Sequence, residues 1–159
     1  MGAWGTGYFE NDATLDALPY ILKSSQPFNL AIPPILQDSF KSTYLEIDES
    51  GTIIIIAIIL IAFNSKEWII DNEGIREMYK KEILSFVVDR ESEWRDEWND
   101  MKIEGDGRGM VEMACDCLDV VLNEKKSESS ELWKESSEEL FEEWKKTIVD
   151  LKQELEKYR

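Results

Sequence analysis

The residue types that carry most enzyme chemistry are scarce in this chain. It has 159 residues and no histidine, so neither a Ser-His-Asp triad nor a Cys-His pair can form, and no imidazole can bind a metal. Carboxylates remain, for example the pairs Glu46 with Asp48 and Asp116 with Asp119. Because the chain has 34 acidic residues, such pairs arise by chance. We therefore predict no catalytic residues and no enzyme activity.

The two cysteines, Cys115 and Cys117, lie two positions apart. On a helix, side chains at this spacing point to different sides, which disfavours a mutual disulfide, and two thiols are too few for a zinc site. We expect both to be reduced and at least partly buried, with no metal and no cofactor bound. Unpaired thiols, and a start that lacks the basic and apolar segments of a signal peptide, indicate a cytoplasmic protein.

The charge balance is strongly acidic. Lys and Arg number 18 against 34 Asp and Glu, which gives a net charge of −16. Such a chain repels phosphate backbones and anionic membranes, so we expect neither nucleic acid nor membrane as a partner. A basic protein is the partner that this field attracts. The alternative is that the acids only keep the protein soluble.

A segment rich in acids and tryptophan is the main candidate for partner binding. Trp94 and Trp98 are four positions apart, so on a helix both rings share one face. Carboxylates border them at Glu91, Glu93, Asp96, Glu97 and Asp100. Indole rings edged by carboxylates are typical of a binding hot spot for a basic protein. Alternatively, both rings seal the edge of the core and the acids are solvated.

The most apolar run begins at Ile53, ends at Phe63 and reads IIIIAIILIAF. As a helix it would be ~16 Å long, against about 30 Å for the hydrocarbon core of a membrane, so we predict a central buried element and no membrane span. The isoleucines favour a strand, whereas Ser50 as a cap and the acids before it favour a helix. The pattern alone leaves both open.

Four further helices are predicted from apolar spacing and capping residues. They cover residues 13–23, 33–42, 75–98 and 110–123. Asn11 or Asp12 caps the first, in which Pro19 is expected to cause a kink or an early end. The second opens at Pro33-Pro34. The third is either continuous or broken near Asp89, and the glycines of residues 105–109 predict a loop.

The clearest helix is the last, over residues 138–158. Its apolar face carries Phe141, Trp144, Ile148, Leu151, Leu155 and Tyr158. This seam is shorter than a coiled coil requires, so we expect it to dock on the chain's own core, in a monomer rather than a dimer. A solvent-facing acidic run comprises Glu135, Glu138, Glu139, Glu142 and Glu143. We therefore predict one helical domain over residues 1–159. Its last part, residues 124–159, consists of a linker at residues 125–131 and the C-terminal helix that docks on the domain.

The amino terminus reads MGAWGTGYFEND. Trp4 with Gly5 and Gly7 predicts a compact turn whose backbone approaches a neighbour closely, pinned by a buried ring. This opening resembles that of a bacterial family, domain of unknown function 4259, which typically begins Met-Gly-Ala-Trp-Gly-x-Gly-x-Phe-x-Asn-Asp.

The resemblance to that family continues along most of the chain. It returns at residues 44–46 (YLE), at residues 129–135 (SSELWKE), at Trp144 and at residues 150–151 (DL). The family's middle segment is alanine-rich and helical, whereas this chain has isoleucine there. The resemblance implies a small, mostly helical cytosolic protein, which favours an all-α fold over the α+β fold that a strand at residues 53–63 would give. It implies no reaction.

These features predict a non-enzymatic interaction protein. The specific hypothesis is an immunity protein that binds and neutralises a basic toxin, for example a nuclease, through its acidic, Trp-containing surface. The alternative is a housekeeping or regulatory domain with a small-molecule pocket near the Trp4 turn.

Overall fold

The computed structural model describes residue 3, residues 5–93, residue 99 and residues 102–159. Over these residues the chain forms a single domain of helices joined by loops, which confirms the predicted all-α fold. The helices are α1 (Asp12–Leu22), α2 (Phe28–Lys41), α3 (Ile47–Asn64), α4 (Lys66–Asp71), α5 (Glu77–Asp89), α6 (Met110–Val121), α7 (Glu128–Ser136) and α8 (Glu138–Glu156).

The apolar run is a helix, and it is the centre of the domain. α3 contacts each of the other seven helices of the described chain, and residues 53–62 are all buried. A helix surrounded on all sides needs apolar residues on all sides, which explains the missing periodicity. Glu46, rather than Ser50, caps it: the Glu46 side chain and that of Glu49 form a reciprocal capping box, while Ser50 is buried inside the first turn.

α3 is longer than its apolar run. It has 18 residues with a mean hydropathy of 1.9, enough by length and composition alone to cross a membrane. The run from Ile53 to Phe63 is only part of this helix, so the length of the run alone does not exclude a membrane span. In the structure, 67% of α3 is buried inside the fold, as expected for the core helix of a compact domain.

α1 packs closely on α3. Of the two predicted caps, Asn11 or Asp12, it is Asn11 that caps α1, by accepting a hydrogen bond from Thr14 N at 3.0 Å. Pro19 lies in its last turn, and the helix ends at Leu22. At the crossing, Gly51 of α3 faces the backbone of Ala13: a Cβ on Gly51 would lie 2.6 Å from the carbonyl carbon of Ala13. Glycine is therefore required for this approach.

α2 begins earlier than predicted. It starts at Phe28, and Pro33 and Pro34 lie inside it rather than at its first turn. Phe28, Ile32 and Leu36 are buried on one face, at helical spacing across the prolines. This packing outweighs the hydrogen bonds that proline removes.

The segment predicted as a linker contains the start of a helix. Ser127 caps α7 by accepting a hydrogen bond from Ser130 N at 3.4 Å, and Ser130 Oγ donates to Val121 O at 2.6 Å. α8 follows, and its apolar seam from Phe141 to Leu155 is buried against the domain, as predicted.

Of the two alternatives for residues 75–98, a continuous helix or a break near Asp89, the structure has the break, because α5 ends at Asp89. The glycine segment is a turn with positive φ at Gly105 (79°) and Gly107 (89°). Arg108 fixes this turn: its guanidinium pairs with Asp106 at 2.6 Å and with Asp116 at 2.7 Å, and lies 3.9 Å from the ring centre of Phe40. The hydrogen bond from Arg108 holds the pKa of Asp106 below its usual value.

Candidate partner-binding surface

Two of the residues predicted to bind a partner are described by the structure. Glu91 and Glu93 are exposed just beyond α5, and Glu91 pairs with Lys66 of α4. The rest of that segment, Trp94, Asp96, Glu97, Trp98 and Asp100, lies outside the described residues, and so does Trp4 of the predicted turn. Their role in binding stays a prediction.

Two described residues of this segment, Glu91 and Asn99, contact the same part of the fold. Asn99 is buried and forms a reciprocal amide pair with Asn64: Asn64 Nδ2 donates to Asn99 Oδ1 at 3.1 Å, and Asn99 Nδ2 donates to Asn64 Oδ1 at 2.7 Å. Asn64 ends α3 and Lys66 begins α4. Glu91 and Asn99 are therefore both held at the junction of these two helices.

The predicted glycine turn folds around a carboxylate. A Cβ on Gly5 would lie 1.3 Å from Glu10 Oε2, and a Cβ on Gly7 would lie 2.8 Å from Glu10 Oε1. The carboxylate of Glu10 thus lies directly over both glycines. Thr6, between them, donates a hydrogen bond to Glu143 of α8 at 3.5 Å, which joins the turn to the last helix.

An exposed tyrosine surrounded by carboxylates lies where the start of α3 meets α7. Tyr44 is 40% exposed, and its hydroxyl donates to Glu131 Oε2 at 2.5 Å. This hydrogen bond is the main cause that raises the pKa of Tyr44 to about 12, and the negative charges of Glu131, Glu128 and Glu135 add to it. We call these four residues the Tyr44 patch.

Backbone pairing sets the position of the Tyr44 patch. Leu45 N donates to Lys126 O at 2.7 Å, and Glu128 N donates to Leu45 O at 2.9 Å, so two segments far apart in sequence run side by side. Glu128 also accepts a hydrogen bond from Ile47 N at 2.8 Å, at the start of α3. The patch is therefore built on the ends of two helices.

The acidic surface continues from the patch along α7 and α8. Glu135, Glu138, Glu139, Glu142 and Glu143 are all exposed, as the sequence predicted. Within the described chain Glu142 pairs with Lys145, and no ion pair involves Glu138 or Glu139. Behind this face, Trp133 and Trp144 are buried with ring centres 6.3 Å apart, so the indoles of α7 and α8 belong to the core.

A separate apolar groove opens on another side. Its volume is about 640 Å³, and it lies between the end of α1, the start of α2 and Phe86 of α5. Tyr20, at its edge, is 67% exposed. We call this the Tyr20 groove. By contrast, the cavity lined by Asn11 and Ala13, next to the glycine turn, measures about 20 Å³, room for about one water molecule.

The cysteines are buried in α6 and unpaired, as predicted. Burial raises the pKa of both thiols to about 12, with a further contribution from Glu156 for Cys115 and from Asp116 for Cys117. Cys117 Sγ donates to Leu36 O at 3.3 Å. Among the described residues, no group of three or more His, Cys, Asp or Glu side chains could hold a metal ion.

Sequence reasoning missed the Tyr44 patch and the Tyr20 groove. Tyr44 and Glu131 are 87 positions apart, so no local pattern joins them. The serine at 127, followed by glutamate, is a capping signal that could have revealed α7. Once α7 is known, Glu131 and Glu135 fall on its exposed side, and the half-buried Glu128 lies in its first turn.

The fold and this surface define a class: a single all-α domain with an apolar central helix and a strongly acidic exterior. Residues 2–147 match the family described as Domain of unknown function (DUF4259), and the chain belongs to that family. This confirms the resemblance inferred from the amino terminus. Comparison with curated proteins and with solved structures gives no match. Two segments that carry the resemblance, residues 44–46 and 129–135, meet at the Tyr44 patch.

Proposed function

We propose that this chain is a non-enzymatic interaction protein that binds a basic protein through its acidic surface. The observation that carries the proposal is the Tyr44 patch, where an exposed phenol is held among three carboxylates. Tyrosine is enriched in binding hot spots because its ring offers a large, rigid contact with a polar tip. Carboxylates beside it suit the guanidinium of arginine, which they can bind through two parallel hydrogen bonds.

The whole-molecule charge supports the same partner. A net charge of −16 steers a cationic protein toward the surface and raises the association rate at low ionic strength. The exposed acids of α7 and α8 extend the field of the patch. A basic protein thus gains from both the long-range field and the local contacts.

The specific form of the proposal is an immunity protein that neutralises a basic toxin in the cytoplasm, for example a nuclease effector. In this form the Tyr44 patch is one contact, and the segment that begins at Glu91 and Glu93 and includes Trp94 and Trp98 is a second. Small size, strong negative charge and the pairing of acids with aromatic rings support it.

The first experiment is co-expression. The gene adjacent to this one is expressed in cells with and without this chain, and growth is measured. We expect the adjacent product to be basic and toxic alone, and harmless in the presence of this chain. An adjacent product without toxicity, together with no basic protein that co-purifies at low salt, would remove the immunity hypothesis.

A second experiment tests the patch, together with the adjoining Glu138 of α8, against a matched control. The variant Glu131→Gln/Glu135→Gln/Glu138→Gln removes three charges from the α7 and α8 surface. The control Glu73→Gln/Glu82→Gln/Glu104→Gln removes three exposed acids elsewhere. We expect the first variant to lower the association rate with the basic partner about tenfold and to weaken its salt dependence, and the control to change it much less. Equal effects would mean that only net charge matters and that the patch is not the site.

The Trp94→Ala/Trp98→Ala variant tests the second contact. A loss of affinity with unchanged unfolding would support it, whereas unchanged affinity would restrict binding to the patch.

A second candidate function is a housekeeping or regulatory domain with a small-molecule site. The Tyr20 groove favours it, since its volume of about 640 Å³ lies within the range of ligand pockets. A small-molecule ligand would raise Tm, and the rise would be the same after surface acids are replaced by uncharged residues. This result would distinguish a ligand-binding domain from a protein that binds a basic partner.

A further inference from the structure

The Tyr20 groove has an apolar part and a polar end. Its apolar lining includes three side chains that are exposed or partly exposed, Tyr20, Ala31 and Ile35, and four that are buried, Ile21, Phe28, Ile32 and Phe86. At the loop between α1 and α2, residues 23–26 (KSSQ) supply an ammonium, two hydroxyls and an amide, all of which can donate hydrogen bonds. The groove therefore separates an apolar surface from a cluster of donors.

The charge of the groove is opposite to that of the protein. Among the described residues, Lys23 is the only ionised side chain that lines it, and no carboxylate among them pairs with Lys23. Lys23 also lines a neighbouring depression with Glu82, Asp89 and Arg90. Ser24, Ser25 and Gln26 line another, with Asp89, Arg90 and Glu93, so acids and a second cation lie beside the polar end but not in the lining of the groove itself. A groove whose described lining has a lysine and no acid suits an anion, even in a chain with 34 acids.

The start of α2 adds to this preference. α2 has no side-chain cap and no acidic residue in its first turn. Its first residue, Phe28, lines the groove, and so does Gln26, two positions before it. A helix amino terminus carries a positive partial charge, so the polar end of the groove favours a negative group.

We propose that the Tyr20 groove binds a small amphipathic monocarboxylate, with its apolar body against Tyr20, Ala31 and Ile35 and its carboxylate at residues 23–26. The groove is large enough for a medium-chain fatty acid or an aryl carboxylate. This inference rests on the second candidate function and not on the acidic surface. A negative result here leaves the test of the Tyr44 patch intact.

The test compares decanoate with decanol, which share an apolar chain and differ in charge. Both are titrated below their aggregation limits, and binding is followed by calorimetry and by the methyl resonances of Ile21, Ile32 and Ile35. We expect decanoate to shift these resonances saturably, with a Kd on the order of a millimolar or tighter. Decanol should bind about three- to fivefold more weakly, as expected for one partly exposed ion pair.

Two variants with matched controls locate the site. Lys23→Gln should remove the preference for decanoate over decanol, while Lys125→Gln, which removes the same charge on the α6–α7 loop, should keep it. Ala31→Trp fills the groove and should weaken both ligands at least about tenfold. Its control, Leu30→Trp, changes an exposed neighbour that does not line the groove and should leave binding unchanged.

Three results would overturn the inference. The first is that decanoate shifts only resonances of residues outside the groove. The second is equal binding of decanoate and decanol to the unmodified chain, and the third is unchanged binding in Ala31→Trp. The Lys23→Gln comparison decides the matter if the tryptophan variant does not fold, because Lys23 is exposed and its replacement leaves the core intact.

Discussion

At the scale of single residues, burial decides what the cysteines can do. The thiolate is the reactive form, and burial raises the pKa of Cys115 and Cys117 to about 12. Near neutral pH both thiols are therefore protonated and shielded. In the unfolded chain they lose their protons at an ordinary pKa of about 9. The stability that follows from this difference is fully present below pH 9 and is lost as the pH rises toward 12.

We predict that the native protein reacts with a disulfide reagent such as DTNB only as fast as it unfolds, while the urea-unfolded chain reacts at once. The free energy of unfolding should fall from about pH 9 upward, and less steeply in a Cys115→Ala/Cys117→Ala variant. Urea denaturation across this pH range measures it. Rapid labelling of native protein at neutral pH would contradict the assignment of both thiols as inert core residues.

At the scale of elements, the sequence predicts helices where pattern and local chemistry agree. α1, α6 and α8 combine an apolar stripe with a clear start, and each was found within a few residues of its predicted range. α3 was ambiguous because a run buried on all sides carries no period. The family resemblance, rather than the residues, favoured the helix.

Tertiary packing explains the elements that were predicted wrongly. Local rules place proline at the first turn of a helix, so Pro33 and Pro34 marked the start of α2. The real start at Phe28 depends on contacts of Phe28, Ile32 and Leu36 with the rest of the core. The sequence does not predict α7, because this helix is short and mostly polar and has no apolar stripe. Its large buried side chain is that of Trp133.

At the crossing of α1 and α3, we predict that replacing Gly51 by alanine lowers the stability of the protein, although helix propensity alone predicts an increase. Gly51→Ala in an isolated helix should stabilise by about 1 kcal/mol. Here the new methyl would lie 2.6 Å from the backbone of Ala13, which cannot move without shifting α1. We expect a net loss of about 1–3 kcal/mol in the free energy of unfolding, measured by urea denaturation.

Gly74→Ala is the control for this substitution. Its Cβ would meet only side chains, Asn72 Oδ1 at 3.1 Å and the ring of Tyr8 at 3.9 Å, so a smaller change is expected. A stabilised Gly51→Ala variant would mean that α1 and α3 are not in such close contact.

At the scale of the whole molecule, the sequence revealed the charge but not the surface that concentrates it. The net charge is a sum over all residues, so it can be read directly from the sequence. The Tyr44 patch, in contrast, depends on the pairing of Leu45 with Ser127 and its neighbours, which are far away in sequence. The predicted Trp segment is a local pattern, and for that reason the sequence could propose it. The Tyr20 groove depends on the packing of three helices and has no local signature.

The net charge also makes a prediction about stability. With 34 acids and 18 bases, folding brings like charges together, and this repulsion opposes the compact state. Salt screens it: the Debye length falls from about 30 Å at 0.01 M to about 3 Å at 1 M. Salt also weakens surface ion pairs such as Lys146 with Asp150, but each contributes at most about 1 kcal/mol. We therefore expect Tm to rise by several degrees over this range of KCl, measured by circular dichroism.

The same variants that test the patch test this explanation. Because Glu131→Gln/Glu135→Gln/Glu138→Gln removes three negative charges, it should have a higher Tm at low salt and a smaller rise with KCl. The control at Glu73, Glu82 and Glu104 should do the same to a lesser extent, since α7 and α8 carry the denser acidic surface. A Tm that falls steadily with KCl would show that the ion pairs outweigh the repulsion. The acidic surface would then stabilise this fold rather than weaken it, and neutralising it to test partner binding would also destabilise the domain.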